Sequence, residues 1–434
     1  MINHDISTIY AVSSGAPPAA IAVIRISGPR AGAALEALAG RSFNPRRASL
    51  AKLRDSAGLL LDEALVLWFP GPNSATGEDC AELHCHGGRA VLAAVSSALE
   101  ALDGVRQAEE GEFTRRAFAN GRIDLAEAEG LADLLEAETE LQRASAIANV
   151  DGHLSDKVTA WRDDVLRLSA QVEAALDFSD EDDVDELPTG FSAALQELEQ
   201  SLDEALSAPR AEKLKEGFRV VLAGPPNSGK STLFNALTDS EAAITSPIAG
   251  TTRDVIERSV AIMGTPFSMV DTAGLRDEGG EEIEKIGIER AHNELTRADL
   301  VLWLGAQGEG PQSEGHQGSW EIAARCDAPD FTPKPLASHT VSATSGEGIA
   351  DLKQALVDHA RKVLPKPGEG ALNTRQFDRL SEARNACCAV AGQSDLLLIG
   401  EELRRARLAF DRLIGRATTE EMLDALFGRF CIGK

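Results

Sequence analysis

The chain lacks the marks of several protein classes. Its six cysteines stand at 80, 85, 326, 387, 388 and 431, none in C-x-x-C spacing, which argues against a disulfide framework or a zinc ribbon. No apolar run nears the ~18 residues of a membrane span. The first residues, MINHDISTIYAV, lack the basic start and apolar stretch of a secretory signal. With the scattered thiols, this points to a reducing cytoplasm. Positive charge is scarce: 43 Lys and Arg against 69 Asp and Glu give a net charge of −26. Such a balance disfavours unspecific adsorption to nucleic acid or membrane. FTRRAF, LRRARLAFDR and LIGRAT gather arginines locally, either as a basic surface or as solvated helix faces.

The 434 residues are 43% hydrophobic and 26% charged, a composition of two to four globular domains. Residues 1–118 mix β-like runs (AIAVIRISG, EALVLWFPG) with a helical pattern, RAVLAAVSSALEALDG, and read as an α+β domain. Residues 119–215 are Ala-, Leu- and Glu-rich with apolar residues three and four apart. That spacing predicts long amphipathic helix, interrupted at SDEDDVDELP. In residues 216–366 strands and helices alternate, as in a parallel-sheet nucleotide domain. LPKPGEG is a linker out, and residues 367–434 are helical again. The two helical stretches share a texture. The expected architecture is therefore an N-terminal α+β domain and a split all-α domain, with an α/β P-loop domain inserted into it.

The inserted segment carries the chemistry. GPPNSGKST, Gly224 to Thr232, follows the apolar FRVVLAG and has the G-x-x-x-x-G-K-S spacing of a phosphate-binding loop. Gly224 and Gly229 permit a tight turn whose amides face phosphate, with Asn227 and Ser228 between them. Lys230 is suited to the β- and γ-phosphates, Ser231 to Mg²⁺, and the helix dipole begins around Thr232. Three more pieces follow in order: AGTTRD at 249–254, MVDTAG at 269–274 and VSATSGEG at 341–348. Thr251 and Thr252 are candidates to sense phosphate and metal. Asp271 is placed for the metal's outer shell, with Thr272, Ala273 and Gly274 leading to the γ-phosphate. Ser342, Ala343 and Thr344 are candidates to back a base.

These pieces resemble the small-GTPase superfamily, in which N-K-x-D selects guanine. Here that motif is missing. AARCD puts Ala324, Arg325 and Asp327 where Asn, Lys and Asp are expected, or else it is ordinary loop. Asp327 keeps the acceptor carboxylate, whereas Ala324 loses an amide, so weakened affinity or relaxed base choice is expected. Leu275 replaces the water-positioning glutamine and can orient no water. Asn227 is suited to hold a monovalent cation instead. Glu281, Glu282 and Glu284 are either water-positioning acids or solvated residues.

The C-terminal FCIGK, with PPAAIAVIRISG and NSATGEDCAELHCHGG near the start, EEGEFTRRAFANGRIDLAEAEGLADLL after them, and the P-loop pieces, resembles the MnmE (TrmE) family of tRNA-modification GTPases. The likeness runs the length of the chain. It implies a cytoplasmic homodimer through the N-terminal domain, binding 5-formyltetrahydrofolate or a related one-carbon folate, with no membrane association. It implies a heterotetramer with the FAD- and NADH-dependent MnmG (GidA) protein, acting on tRNA. It also implies K⁺-stimulated GTP hydrolysis coupled to modification of C5 of the wobble uridine, to an aminomethyl or carboxymethylaminomethyl form. Carried over position by position, Arg25, Glu82, Arg122 and Lys434 fall at the folate contacts. Asn227, Ser246, Ile248 and Thr251 fall at the K⁺ ligands, with Pro247, Ala249 and Gly250 in the same loop. Ser231 and Thr252 fall at Mg²⁺, and Glu284 at the catalytic acid. Cys431 is a catalytic nucleophile or a buried packing cysteine. His84 and His86 share a strand face, but two ligands without a third fit a turn-and-packing role better than a metal. A pure switch acting in ribosome assembly and a degenerate, scaffolding nucleotide domain are the rival readings.

Overall fold

The structure is a computed structural model that describes residues 7–177, 187–239, 242–243, 256–272, 292–310, 318–329, 331–417 and 419–433. It divides into two compact units. One takes in the chain up to Ala132 and again from Asp411 on, and the other is Asp133–Phe410.

The first unit is built on a six-stranded sheet in the order β3-β4-β5-β2-β1-β6. Its strands are β1 Thr8–Val12, β2 Ala19–Ser27, β3 Ser49–Arg54, β4 Leu60–Phe69, β5 Cys80–Gly87 and β6 Val105–Gln107. Side chains alternate between its two faces. Ala22, Ile24 and Ile26 of β2 are buried with Leu83 of β5, in a core shared with helices α1 Ala31–Ala39 and α2 Arg89–Glu100. Ile21, Val23 and Arg25 point to the opposite, open face. Helix α3 Glu112–Ala119 and the start of α4 Leu125–Glu136 follow. The C-terminal helix Glu420–Phe427 packs back on them through Leu125, Leu423, Phe427 and Phe430. Gly111 sits at φ +65° where a Cβ would lie 2.2 Å from the carbonyl oxygen of Phe427, so only glycine allows that approach.

In the second unit, helices α5 Glu140–Val150, α6 His153–Asp177 and α7 Phe191–Ser207 precede the nucleotide domain. Helices Thr374–Ala391 and Leu396–Leu413 follow it. The two groups pack together: Trp161 stacks on Phe410 with centroids 6.1 Å apart, and Arg384 pairs with Asp203 at 2.8 Å. Between them lies a seven-stranded sheet in the order β13-β12-β11-β7-β10-β9-β8. Its strands are β7 Phe218–Ala223, β8 Ala242–Ala243, β9 Ile256–Ile262, β10 Thr265–Asp271, β11 Leu300–Trp303, β12 Ser319–Ala324 and β13 His339–Val341. The central strands are parallel, and β8 and β9 run antiparallel. Helices α8 Ala211–Glu216 and α9 Lys230–Thr238 and the helix Ile349–Ala360 add to its core. The expected fold class, a split helical domain holding a P-loop domain behind an α+β domain, is the one observed.

The amphipathic run after 119 is not one long helix. It is broken after Glu136, where Thr139 and Gln142 form a reciprocal capping box, and again at Gly152, with φ +83°. Apolar periodicity continues across both breaks, so the capping chemistry marks them and the pattern does not. Among the described residues, no helix is long and apolar enough to cross a membrane.

Candidate functional site

The phosphate loop runs from the end of β7 to the start of α9. Gly224 has φ +148°, and a Cβ there would lie 3.1 Å from the Gly305 amide nitrogen. Gly229 has φ +93°, and the exposed Asn227 is also left-handed at φ +59°. The buried Lys230 folds over the loop, its ammonium donating to the carbonyls of Gly224 at 2.9 Å and Pro225 at 2.8 Å. Helix α9 starts here without a side-chain cap, so its first amides have no intrahelical partner and face the loop. The Ser231 hydroxyl donates to Asp271 Oδ2 at 2.6 Å. Asp271, fully buried, ends β10, paired in register with Leu222 of β7. Thr272 Oγ1 donates to the Leu222 carbonyl at 2.8 Å. A hydroxyl and a carboxylate joined under a helix N-terminus are the hard oxygen donors that fit Mg²⁺, which keeps most of its own waters and takes few protein ligands.

On the other side of the loop, β12 ends at Ala324 and the chain turns through Arg325 at φ +62°. The Arg325 Cγ lies 3.6 Å from where a Gly229 Cβ would be, so its stem covers the phosphate loop. Cys326 N donates to the Val341 carbonyl, joining this turn to the strand before Ser342. Ser342 is fully buried and its hydroxyl accepts from Ser345 N at 3.0 Å; Ala343 and Thr344 follow in the same loop, and Asp327 is exposed. The phosphate loop, the turn at 324–327 and the loop at 342–344 thus meet at one end of the sheet. A cavity of about 120 Å³, lined by Ser228, Ala324, Arg325 and Lys334 among others, lies between the phosphate loop, the turn at 324–328 and the segment 331–334. Ser246, Pro247, Ile248, Ala249, Gly250, Thr251, Thr252, Ala273, Gly274, Leu275, Glu281, Glu282 and Glu284 lie outside the described residues.

A second polar site lies on the open face of the first unit's sheet. Arg25 and Glu82 stand opposite each other on β2 and β5, joined by two hydrogen bonds of 2.9 and 3.1 Å to Glu82 Oε1. Arg25 also lies 5.9 Å from the centre of the Phe113 ring. Arg122 is exposed, its Cγ 3.2 Å from where a Gly77 Cβ would be. That loop is tied to β2 by the 2.7 Å bond between Thr76 and Ser27, two residues from Arg25 on the same face. A paired guanidinium and carboxylate, both partly exposed, with a further cation nearby, fit a ligand bearing carboxylates and an N–H edge, as a folate does.

The C-terminal strand of chain reaches this neighbourhood. Ile432 bridges Glu110, and a Cβ on Gly433 would lie 2.3 Å from the Val12 carbonyl oxygen. Val12 is the register partner of Ile24, next to Arg25. Cys431 is exposed. Lys434 lies outside the described residues. His84 and His86 turn to carboxylates, Glu82 at 3.4 Å and Asp62 at 2.7 Å. Burial pushes the Asp62 carboxyl up, but the hydrogen bonds from His86 outweigh it and hold the group below its ordinary value.

Beneath Arg25 lies a network that the sequence reading did not single out. Arg116 pairs with Glu112 at 2.8 Å and Glu78 at 3.2 Å, Arg106 pairs with Glu112 at 2.7 Å, and Ser27 donates to Glu78 at 2.7 Å. Burial raises the Glu112 carboxyl, while hydrogen bonds from Arg106, the Glu109 amide and Arg116 overcome that and leave it lowered. The four-residue spacing of Glu112 and Arg116 on a helix was the legible sign.

The sequence profile described as "MnmE helical domain" matches residues 125–431, and that described as "GTP-binding protein TrmE N-terminus" matches residues 8–122. A relative named tRNA modification GTPase MnmE, from Erythrobacter litoralis, is 61% identical over 427 residues, covering 98% of this chain and 100% of its own. Another of the same name, from Novosphingobium aromaticivorans, is 60% identical over 437 residues, covering 98% and 99%. Among solved structures, the G domain of the T. maritima FeoB iron transporter aligns with a TM-score of 0.24 at 26% identity, over 33% of this chain and 98% of that one.

Proposed function

This chain belongs to the MnmE family of tRNA modification GTPases, and from that premise we propose that it is a K⁺-stimulated GTP hydrolase of wobble-uridine modification. In this reading it works with the FAD- and NADH-dependent MnmG partner and a one-carbon folate to alter C5 of that uridine in tRNA.

The observation that carries the GTPase reading is the Ser231–Asp271 bond beneath the open N-terminus of α9. Ser231 and Thr252 would hold Mg²⁺, which would neutralise phosphate charge, and Asp271 would support it from beyond the direct ligands. Lys230 exchanges its two loop carbonyls for β- and γ-phosphate oxygens, a charge-assisted pairing stronger than the one it gives up. Asn227, Ser246, Thr251 and the Ile248 carbonyl would hold K⁺, which would supply the positive charge that an arginine finger supplies elsewhere. Glu284 positions water, since Leu275 cannot. Asp327 and the loop of Ser342, Ala343 and Thr344 receive the base.

Arg25, Glu82, Arg122 and Lys434 would hold the folate, and the exposed Cys431 is assigned as the nucleophile. The homodimer forms through the open face of the six-stranded sheet. That face exposes Ile21, Leu50 and Leu65 at 62%, 60% and 39% of their surface, an apolar area of the kind that marks association surfaces.

The test is GTP turnover in K⁺ against Na⁺. Turnover is expected to be about tenfold faster in K⁺ or more, in line with the loss of one electrostatic contributor to the transition state. Asn227→Ala is expected to abolish the difference. Equal rates in both salts for the unaltered protein would remove the cation from the reading and leave the GTPase assignment standing.

A further inference from the structure

The chain lacks the side-chain amide expected at position 324, and the structure holds a gap there with a cation at its wall. The cavity of about 120 Å³ is bounded by the Ala324 methyl, Ser228, Leu304, Arg325, Phe331 and Lys334. The Ser228 hydroxyl is buried with no hydrogen-bond partner, an arrangement that ordinarily costs stability. The Lys334 ammonium donates to the carbonyls of Gly305 and Ile322. Both acceptors matter by their position. Gly305 follows β11, where Leu304 N donates to the Ala223 carbonyl at 2.8 Å, and its amide nitrogen abuts Gly224, the first residue of the phosphate loop. Ile322 lies in β12 two residues before Ala324, where the base-side turn begins. One ammonium therefore ties the strand end that supports the phosphate loop to the strand end that carries the base-side turn.

We propose that Lys334 is the positioning residue that holds these two strand ends in register for purine-nucleotide binding, in place of an amide at 324. The inference rests on the nucleotide-binding reading of the preceding section. Burial lowers the Lys334 pKa, the mark of an ammonium that has exchanged water for fixed carbonyl dipoles. An ammonium carries three donors, and two are used on the carbonyls. Position 334 lies seven residues past Asp327, outside the spacing by which a guanine motif is recognised, which is why the motif pattern alone does not reveal it.

The experiment measures binding of a fluorescent GDP analogue and the steady-state KM and kcat for GTP, on the full chain in K⁺. Lys334→Met is expected to weaken GDP and GTP alike by about tenfold, the size of one lost charge-assisted bridge. The larger part of the loss is expected in KM, because the lesion is on the base side. Lys334→Arg is expected to stay within about threefold of the unaltered protein, as it keeps donors for both carbonyls. Adding Ala324→Asn to Lys334→Met is expected to recover most of the affinity, since the amide fills the gap and offers Ser228 a partner. Lys334→Met with unaltered Kd and KM overturns the proposal, as does a loss confined to kcat. Should Lys334→Met fail to fold, Lys334→Gln, which keeps amide donors but loses the ammonium that joins both carbonyls, decides: weakened GDP binding by a folded chain supports the bracing role, and unaltered binding overturns it. If the unaltered chain binds no guanine nucleotide, the nucleotide-site reading itself is what fails.

Discussion

Glu112 shows how much a single side chain sets in the first unit. Its carboxylate receives Arg106 at 2.7 Å, Arg116 at 2.8 Å and the Glu109 amide at 2.9 Å, and only 11% of the side chain is exposed. Through Arg116 and Glu78 this ties α3 to Ser27 on the face that bears Arg25. Removing the charge takes one partner from Arg116, which keeps Glu78, and one from the part-exposed Arg106, which keeps Ser7, so Glu112→Gln is expected to cost about 1–3 kcal/mol, the range for hydrogen bonds to charged groups. Because the folded-state pKa is lowered, the ionised group stabilises the fold above the ordinary carboxylate range, and that contribution is lost as pH falls through the folded value. Denaturant unfolding of the variant and the unaltered chain at neutral pH, and again near pH 4, checks this. The gap between them is expected to narrow in acid, and a gap constant with pH would assign the loss to packing instead of charge.

At the scale of elements, the clearest case is the start of α5. Leu141 is 5% exposed and belongs to the core of the seven-stranded sheet's domain. Its amide donates to the carbonyl of Gly264, at the turn between β9 and β10. Gln142 closes the capping box and reaches the Leu214 carbonyl at 2.8 Å. So a helix from the segment before the nucleotide domain anchors the hairpin whose strands lead from the AGTTRD stretch and into DTAG. Leu141→Ala is expected to destabilise that domain by about 2–5 kcal/mol, read as an earlier denaturation transition. GTP turnover in K⁺ is expected to fall at temperatures where the unaltered chain is fully folded. An unchanged transition would mean that the contact is incidental. The element also marks the limit of sequence reading. The strand–loop–helix around Gly224 and Lys230 was legible because the chemistry of phosphate fixes residue types at fixed spacing. Helical texture was legible from apolar period, but the breaks near Thr139 and Gly152 were masked because the period runs through them. The Arg106–Glu112–Arg116–Glu78 network and Lys334 were not legible as sites. The spacing of Glu112 and Arg116 was visible, but the Glu78 that joins them to β2 and the two carbonyls that Lys334 reaches are far apart in sequence, and only the fold brings them together.

The whole molecule carries a net charge of −26, which bears on how it meets an RNA. The arginine-rich stretches that offered a local basic surface are largely engaged with acids of the same chain. Arg115 pairs with Glu420 and Asp424 at 2.6 and 2.8 Å, and Arg404 and Arg405 pair with Glu401 and Glu402 one helical turn away. A paired guanidinium contributes little long-range field, and releasing it to a phosphate exchanges one anion for another with small net gain. The protein alone should therefore be a poor tRNA binder, and the basic surface should come from the flavin-dependent partner proposed above. Gel-shift or anisotropy titrations of transfer RNA against this chain alone at about 0.15 M salt, where the Debye length is about 8 Å, are expected to give a Kd no tighter than the non-specific range of roughly 10⁻⁴–10⁻⁶ M. Adding the partner is expected to tighten it. Nanomolar binding by the isolated chain would place an intact cationic surface on it, and the charge argument would fail at its largest scale.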